Sequence, residues 1–137
     1  MIVTRITTPE EVVRNWTIFR EGLKVIKGYA GETTDEDTYL KMLIELAAQS
    51  ETAWVGCVFQ GGPLGYGVAA ESTPPFAARR TFTVISFYHV PGQFEATTAL
   101  MGAFERWAME HNVGSYIVTT RRNSGPAIRC FSSCLLY

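Results

Sequence analysis

The chain has 137 residues, 47% of them hydrophobic and 18% charged, which is sufficient for one domain with a buried core and excludes a disordered chain. The formal net charge of −1 leaves no basic field for nucleic acid. The longest apolar run, Trp54 to Ala70, is broken by Gln60-Gly61-Gly62-Pro63, so we expect no membrane span.

The N-terminus and the cysteines indicate a cytoplasmic protein. The segment MIVTRITTPEE has no positively charged region followed by an apolar stretch, so we expect no signal peptide. The chain has three cysteines, an odd number, at Cys57, Cys130 and Cys134. Their spacing is not that of metal ligands. We therefore predict reduced, buried thiols and no metal site.

The first third of the chain predicts one strand and two helices. Ile2–Ile6 alternates apolar and polar residues, as strands do. Thr8, Pro9 and Glu11 form a helix start with a capping box, and apolar residues at helical spacing predict a single helix to Ile26. The acidic run 34–37 starts a second helix, which continues through an apolar stripe to residue 47.

The rest of the chain predicts four strands and two helices. Two strands, 53–59 and 64–71, flank a Gly-Gly turn and form a hairpin. A strand over 80–90 runs through Pro91-Gly92 into a long helix over 94–111. The strand 115–120 follows that helix and is expected to run parallel to 80–90. The sequence ends in a predicted loop, 121–126, and a short helix, 127–136.

This order of elements resembles the GNAT N-acetyltransferase superfamily. Three segments carry the resemblance: the hairpin AWVGCVFQ…LGYGVAAES, the strand, turn and helix SFYHVPGQFEATTALMGAFERWAMEHNV, and the C-terminal YIVTTRRNSGPAIRCFSSCLL. The fold that the resemblance implies is a single α/β domain over residues 1–137, with a mixed, mostly antiparallel sheet and helices on both faces. The chain stops at Tyr137, so we expect the family's last two strands to be absent and one sheet edge to be exposed.

The resemblance also implies an acetyl-CoA site between two parallel strands that diverge near Val90 and Thr120. Backbone groups of the first strand would bond the pantetheine arm, and the following turn and helix start would hold the pyrophosphate. The family's C-terminal pattern of Asn, Ala and Tyr falls on Asn123, Ala127 and Phe131. The implied cofactor-binding residues are Tyr88, His89, Val90, Gly92, Gln93, Phe94, Glu95, Ala96, Thr97, Asn123 and Phe131.

The sequence departs from the family at two places that matter for chemistry. The glycine positions of the usual cofactor loop hold Ala96 and Thr98, or Glu95 and Thr97 in the alternative alignment. Phe131 stands where the family usually has the Tyr that protonates the thiolate, and Phe has no proton to donate.

Two residues are candidates for the base that accepts the proton of the amine. His89 ends the central strand and titrates in a suitable range, although it could equally be packed under a helix. Glu71 ends its own strand, and its alternative role is a solvated strand end.

Two functional hypotheses remain open. The first is an acetyl-CoA-dependent N-acyltransferase that acts on a small-molecule or protein amine, with a backbone N–H at the diverging strand as oxyanion hole. The second is a non-catalytic binding or structural protein with a GNAT fold, for example a virus-encoded or virion-associated component. In the second hypothesis the exposed sheet edge would favour a homo-oligomer.

Overall fold

The computed structural model describes residues 1–30, 35–119 and 126–130. The elements of these residues are, in chain order, β1 (Ile2–Arg5), α1 (Pro9–Arg14), α2 (Trp16–Ala30), α3 (Glu36–Ala48), β2 (Ala53–Phe59), β3 (Pro63–Glu71), β4 (Arg80–His89), α4 (Phe94–Glu110), β5 (Val113–Thr119) and β6 (Pro126–Cys130). The six described strands form one sheet in the order β1-β2-β3-β4-β5-β6.

The sheet is mixed and mostly antiparallel, which confirms the predicted fold class. Every neighbouring pair of strands is antiparallel except β4 and β5, which are parallel because α4 connects them. The hairpin of β2 and β3 turns at Gly61, whose φ of 74° favours glycine. These agreements follow from periodicity and turn chemistry, the two strongest signals in the sequence.

The predicted single helix over 9–26 is wrong in one respect, because the structure divides it at Asn15. The Asn15 side chain donates a 2.8 Å hydrogen bond to the Glu11 carbonyl and ends α1 there. Asparagine competes for backbone groups in this way and is therefore a poor residue for a helix interior. The predicted start is confirmed, since Thr8 caps the helix and accepts a bond from the Glu11 N–H.

The predicted closing helix over 127–136 is also wrong where the structure describes it. Pro126–Cys130 is a strand that pairs antiparallel with β5, from Thr119 opposite Pro126 to Ser115 opposite Cys130. A short apolar run has no decisive periodicity, and an adjacent strand with open hydrogen-bonding groups decides its conformation. The β5 edge, which we expected to be exposed, is therefore covered by β6.

Two apolar clusters lie on opposite faces of the sheet, so the prediction of helices on both faces is confirmed. The cluster under α1, α2 and α3 includes Val12, Phe19, Leu43, Tyr39 and Tyr66. The cluster under α4 is more aromatic and includes Trp54, Phe82, Leu100, Phe104, Trp107 and Tyr116. Among the described residues, no helix combines the length and apolar character that crossing a bilayer requires.

Candidate functional site

The site is built around a slot between the two parallel strands. β4 and β5 pair only from Arg80 opposite Val113 to Thr83 opposite Ile117, although β4 continues to His89. A bulge at the point of separation helps β4 to turn away, because Val68 and Ala69 of β3 pair with Ser86 and Val84 and leave Ile85 between them. The sequence predicts divergence near Val90 and Thr120. In the structure the pairing ends earlier, at Thr83 and Ile117, and Thr120 lies outside the described residues.

Backbone groups of two β4 residues face this slot. The Val90 N–H donates to the Leu64 carbonyl at 2.8 Å, so Val90 belongs to a hydrogen-bonded pair with β3. Bonding directions alternate along an antiparallel strand, so Tyr88 also points its backbone groups at β3, whereas Phe87 and His89 point theirs away. Of the predicted contacts Tyr88, His89 and Val90, only His89 presents its own N–H and C=O to the slot.

A tight turn connects the end of β4 to α4. The Gln93 N–H donates to the Val90 carbonyl at 2.9 Å, and Gly92 has a φ of 85°. Proline followed by a residue with positive φ is the pattern of a type II turn, which explains Pro91-Gly92 in the sequence. The turn places the first residues of α4 directly beyond the mouth of the slot.

The first backbone N–H groups of α4 receive no hydrogen bond from the side chain of the N-cap residue. Gln93 occupies the N-cap position but makes no side-chain capping bond. The N–H groups of Phe94 and Glu95 are therefore available to an anion. Ala96 is less available, because it is fully buried and its N–H donates to the Gln93 carbonyl at 3.0 Å.

His89 lies on the α4 side of the sheet. Its Nδ1 is 2.7 Å from the Thr97 hydroxyl, and its ring meets the Phe94 ring edge-on at 6.2 Å between centroids. Phe94 itself is 69% exposed. The structure therefore brings His89, Phe94 and Thr97 together, and the histidine fixes the helix start to the end of the strand.

The second predicted base, Glu71, lies elsewhere. Gly65 of β3 is opposite His89 and Glu71 is opposite Phe82, so Glu71 and His89 are separated by six residues of strand, roughly 20 Å. Arg80 donates two bonds to the Glu71 carboxylate, at 3.2 and 3.1 Å, and with the Thr73 hydroxyl it lowers the pKa of Glu71. Glu71 is therefore an ion-pair partner at the opposite end of the sheet, not a neighbour of His89.

Sequence reasoning missed a group of hydroxyls on the other face of β4. Tyr39, Tyr66 and Ser86 lie within hydrogen-bond distance of one another in series. Two glycines, Gly65 and Gly67, flank Tyr66 in the sequence, as glycines do where a backbone approaches closely. In the structure a Cβ at Gly65 would lie 2.3 Å from the Tyr88 carbonyl oxygen.

Two predicted cofactor contacts, Asn123 and Phe131, lie outside the described residues. Within the described part of the chain, no group of three or more His, Cys, Asp or Glu side chains could hold a metal ion. Cys57 is a buried free thiol, and burial raises its pKa to about 12.

Comparisons with solved structures identify the fold. No family model matches the sequence, and no curated protein matches it significantly. Solved structures do match. A probable acetyltransferase superposes with a TM-score of 0.71 at 15% identity, over 90% of this chain and 82% of that one. The chain has the GNAT fold.

Two further structures have the same GNAT fold. The ribosomal-protein-alanine N-acetyltransferase of Brucella melitensis biovar Abortus gives a TM-score of 0.62 at 16% identity, over 90% of this chain and 83% of that one. AAC(6')-Iy, in complex with the bisubstrate analogue CoA-S-monomethyl-acetylneamine, gives 0.65 at 14% identity, over 90% of this chain and 81% of that one. In this GNAT fold, the slot and the α4 start are the parts that the sequence resemblance associates with acetyl-CoA.

Proposed function

We propose that the chain is an acetyl-CoA-dependent N-acyltransferase that acetylates an amine. The observation that carries the proposal is the slot, because β4 stops pairing with β5 at Thr83 while its backbone remains extended to His89. Unpaired backbone groups on a strand edge favour a ligand that can bond to them. Structures with the same fold are described as acetyltransferases, and one of them holds a CoA analogue, which supports this choice of ligand.

The residues at the slot fit the cofactor in polarity. The N–H and C=O groups of Phe87 and His89 suit the amides of a pantetheine arm lying along β4. The N–H groups of Phe94 and Glu95, at the positive end of α4, suit the pyrophosphate. The Glu95 carboxylate opposes this second interaction, because it adds a negative charge in the first turn.

The bound cofactor would supply an acetyl thioester to be attacked by the free amine. A backbone N–H of β4 that faces the slot would donate a hydrogen bond to the thioester carbonyl oxygen as negative charge develops on it. We assign His89 to the cofactor side of the site and not to proton abstraction, because its Nδ1 is engaged with Thr97 on the α4 face. Glu71 has no part in the proposed site.

The acceptor amine would enter from the face covered by α1, α2 and α3. Tyr88 lies on that face, where it packs against Tyr66 with ring centroids 5.9 Å apart. Burial and the nearby Glu21 carboxylate raise the pKa of Tyr88. Glu21 is about half exposed and forms a 3.1 Å ion pair with Lys24, so its charge is largely balanced there.

Isothermal titration with acetyl-CoA tests the proposal. We expect saturable binding with one site per chain, and protection of the chain against thermal unfolding at the same cofactor concentrations. Acetylation of neamine or of a peptide with N-terminal alanine, followed by release of free thiol, then tests the transfer. Absence of both heat and protection at millimolar acetyl-CoA would reject the enzyme and leave the non-catalytic GNAT-fold protein, whose oligomeric state light scattering can measure.

A further inference from the structure

A chain of three hydroxyl groups runs from Tyr39 of α3, over β3, to Ser86 of β4. The Tyr39 and Tyr66 hydroxyl oxygens are 2.8 Å apart, and the Tyr66 hydroxyl is 3.4 Å from Ser86 Oγ. Tyr66 is fully buried and Tyr39 is 9% exposed, whereas Ser86 is partly exposed. The chain therefore begins in the core and ends at the accessible edge of β4.

The helix α2 seals the middle of this chain. A Cβ at Gly22 would lie 2.1 Å from the Tyr66 hydroxyl oxygen and 2.4 Å from its ring, so only glycine lets the helix pass this close. Burial raises the pKa of both phenols, which keeps them protonated. Each phenol consequently has one O–H that must find an acceptor inside the protein.

This requirement fixes the direction of the hydrogen bonds. If Tyr39 donates to Tyr66 and Tyr66 donates to Ser86, both buried protons are satisfied. In the opposite direction Tyr39 would be left with an unpaired buried O–H, at a cost of about 1–3 kcal/mol. The favoured direction makes Ser86 the acceptor of the bond from Tyr66, so this bond does not use the Ser86 proton.

Ser86 lies on β4 close to the position that we expect for the sulfur of the bound cofactor. It follows the bulged Ile85, three residues beyond the last pair of β4 and β5, Thr83 with Ile117. It also precedes Val90 by four residues, roughly 13 Å along an extended strand. A pantetheine arm that runs inward from the α4 start along β4 therefore brings its sulfur toward Ser86.

We propose that Ser86 is the catalytic residue that transfers the proton between amine and sulfur, with Tyr66 and Tyr39 as positioning residues. This inference rests on the proposed acyltransferase function. As the C–N bond forms and the C–S bond breaks, Ser86 Oγ accepts the proton that the amine loses and gives its own proton to the departing sulfur. The protons balance without any other acid. Ser86 on β4 thus takes the role of proton donor that the family resemblance gives to a Tyr at the position where this chain has Phe131.

The first test needs no acceptor. Free CoA is bound to the wild-type chain and to Ser86→Ala, and the ultraviolet absorbance of the thiolate is followed as pH rises. A hydrogen bond from Ser86 stabilises the thiolate, so the pKa of bound CoA is expected to be about one pH unit lower in the wild type than in Ser86→Ala. Ser72→Ala is the matched control, since the Ser72 hydroxyl bonds Thr83, in the part of β4 that pairs with β5.

The second test is turnover with neamine or the alanine-terminated peptide. Ser86→Ala is expected to lower kcat about a hundredfold and leave the KM for acetyl-CoA unchanged, because a positioned proton donor acts on the chemical step. Tyr66→Phe is expected to lower kcat less. Ser86→Thr, which keeps the hydroxyl, is expected to retain activity and covers the case in which Ser86→Ala does not fold.

The outcomes separate the two proposals. A wild-type chain that binds neither acetyl-CoA nor CoA overturns the acyltransferase and this inference together. A wild-type chain that binds CoA, with the same thiol pKa in Ser86→Ala, overturns the role of Ser86 alone. Equal kcat in the wild type and Ser86→Ala also overturns the role of Ser86. A thiol pKa that is lower only in chains with a hydroxyl at position 86 supports that role.

Discussion

The two ends of β4 are built in opposite ways. At the Arg80 end, β4 pairs with strands on both sides, and the Arg80 guanidinium donates to the Glu71 carboxylate and to the His111 and Glu51 carbonyls. At the His89 end, β3 is the one strand among the described residues that pairs with β4. Of the ion pairs between described side chains, only Arg80–Glu71 involves a β4 residue, and it lies at the Arg80 end.

This difference shows how a sheet can hold a slot open. Unpaired backbone groups are costly, so a strand tends to close on its neighbour unless something prevents it. Here the bulge at Ile85 sets the angle, and the bonds around Arg80 fix the register from which the strands diverge. The closed end thus provides stability that the open end, with backbone groups of β4 facing away from β3, lacks.

The largest expected effect comes from breaking the closed end. Arg80→Met keeps the side-chain stem but removes four donated bonds and leaves the partly buried Glu71 without its cation. We expect a loss of about 2–3 kcal/mol in the free energy of unfolding, measured by urea denaturation.

Arg20→Met is the control for this loss. It removes the Arg20–Glu36 pair, whose side chains are 50% and 49% exposed, and should cost no more than about 0.5 kcal/mol. Similar losses for the two variants would show that the contacts of Arg80 do not stabilise the closed end more than a surface pair does.

A second pair of variants tests the packing behind the open end. Gly22→Ala gains helix propensity of about 1 kcal/mol but places a Cβ 2.1 Å from the Tyr66 hydroxyl. Because the clash dominates, we expect a net loss of about 2 kcal/mol in urea denaturation. Gly102→Ala in α4 has only the flexible end of Arg106 at 3.4 Å and should gain up to about 1 kcal/mol.

The two glycine variants therefore have opposite expected signs. A stabilised Gly22→Ala would mean that α2 does not press on Tyr66. The hydroxyl chain to Ser86 would then be less tightly covered by α2 than the close approach at Gly22 indicates.

Several features of the open end could be predicted from the sequence. The strand, the Pro-Gly turn and the helix of the site were predictable because each has a local signal, and the divergence followed from the family resemblance. The separation of Glu71 from His89 was not considered, although it follows from strand direction: β3 and β4 are antiparallel, so their C-terminal ends lie at opposite edges.

Features that depend on distant contacts were not predictable. Tyr39, Tyr66 and Ser86 are far apart in sequence, and only the packing of α2 and α3 on the sheet brings their hydroxyls together. The strand β6 likewise depends on its neighbour β5, since its own short apolar run fits a helix equally well.

A smaller effect is expected from the turn. Gly92→Ala meets no atom within 4 Å, but its φ of 85° disfavours any side chain, so we expect a loss of about 1 kcal/mol and weaker binding of acetyl-CoA. Gly62→Ala is the control, because it is equally uncrowded and has no positive φ. Thermal unfolding and titration calorimetry measure both. A Gly92→Ala chain that behaves like Gly62→Ala would show that the turn tolerates another conformation.

The smallest effect is expected at Glu95, and its two parts have opposite signs. Glu95→Gln removes a favourable charge from the first turn of α4, which lowers the free energy of unfolding by about 0.3–0.5 kcal/mol. The same change removes a repulsion from the proposed pyrophosphate site, so the affinity for acetyl-CoA should rise about two- to fivefold at low salt, and less at high salt. Glu110→Gln, at the other end of α4, should leave the affinity unchanged. If Glu95→Gln instead left affinity unchanged or lowered it, the pyrophosphate would not lie at the start of α4, and the slot would have to bind acetyl-CoA by another route.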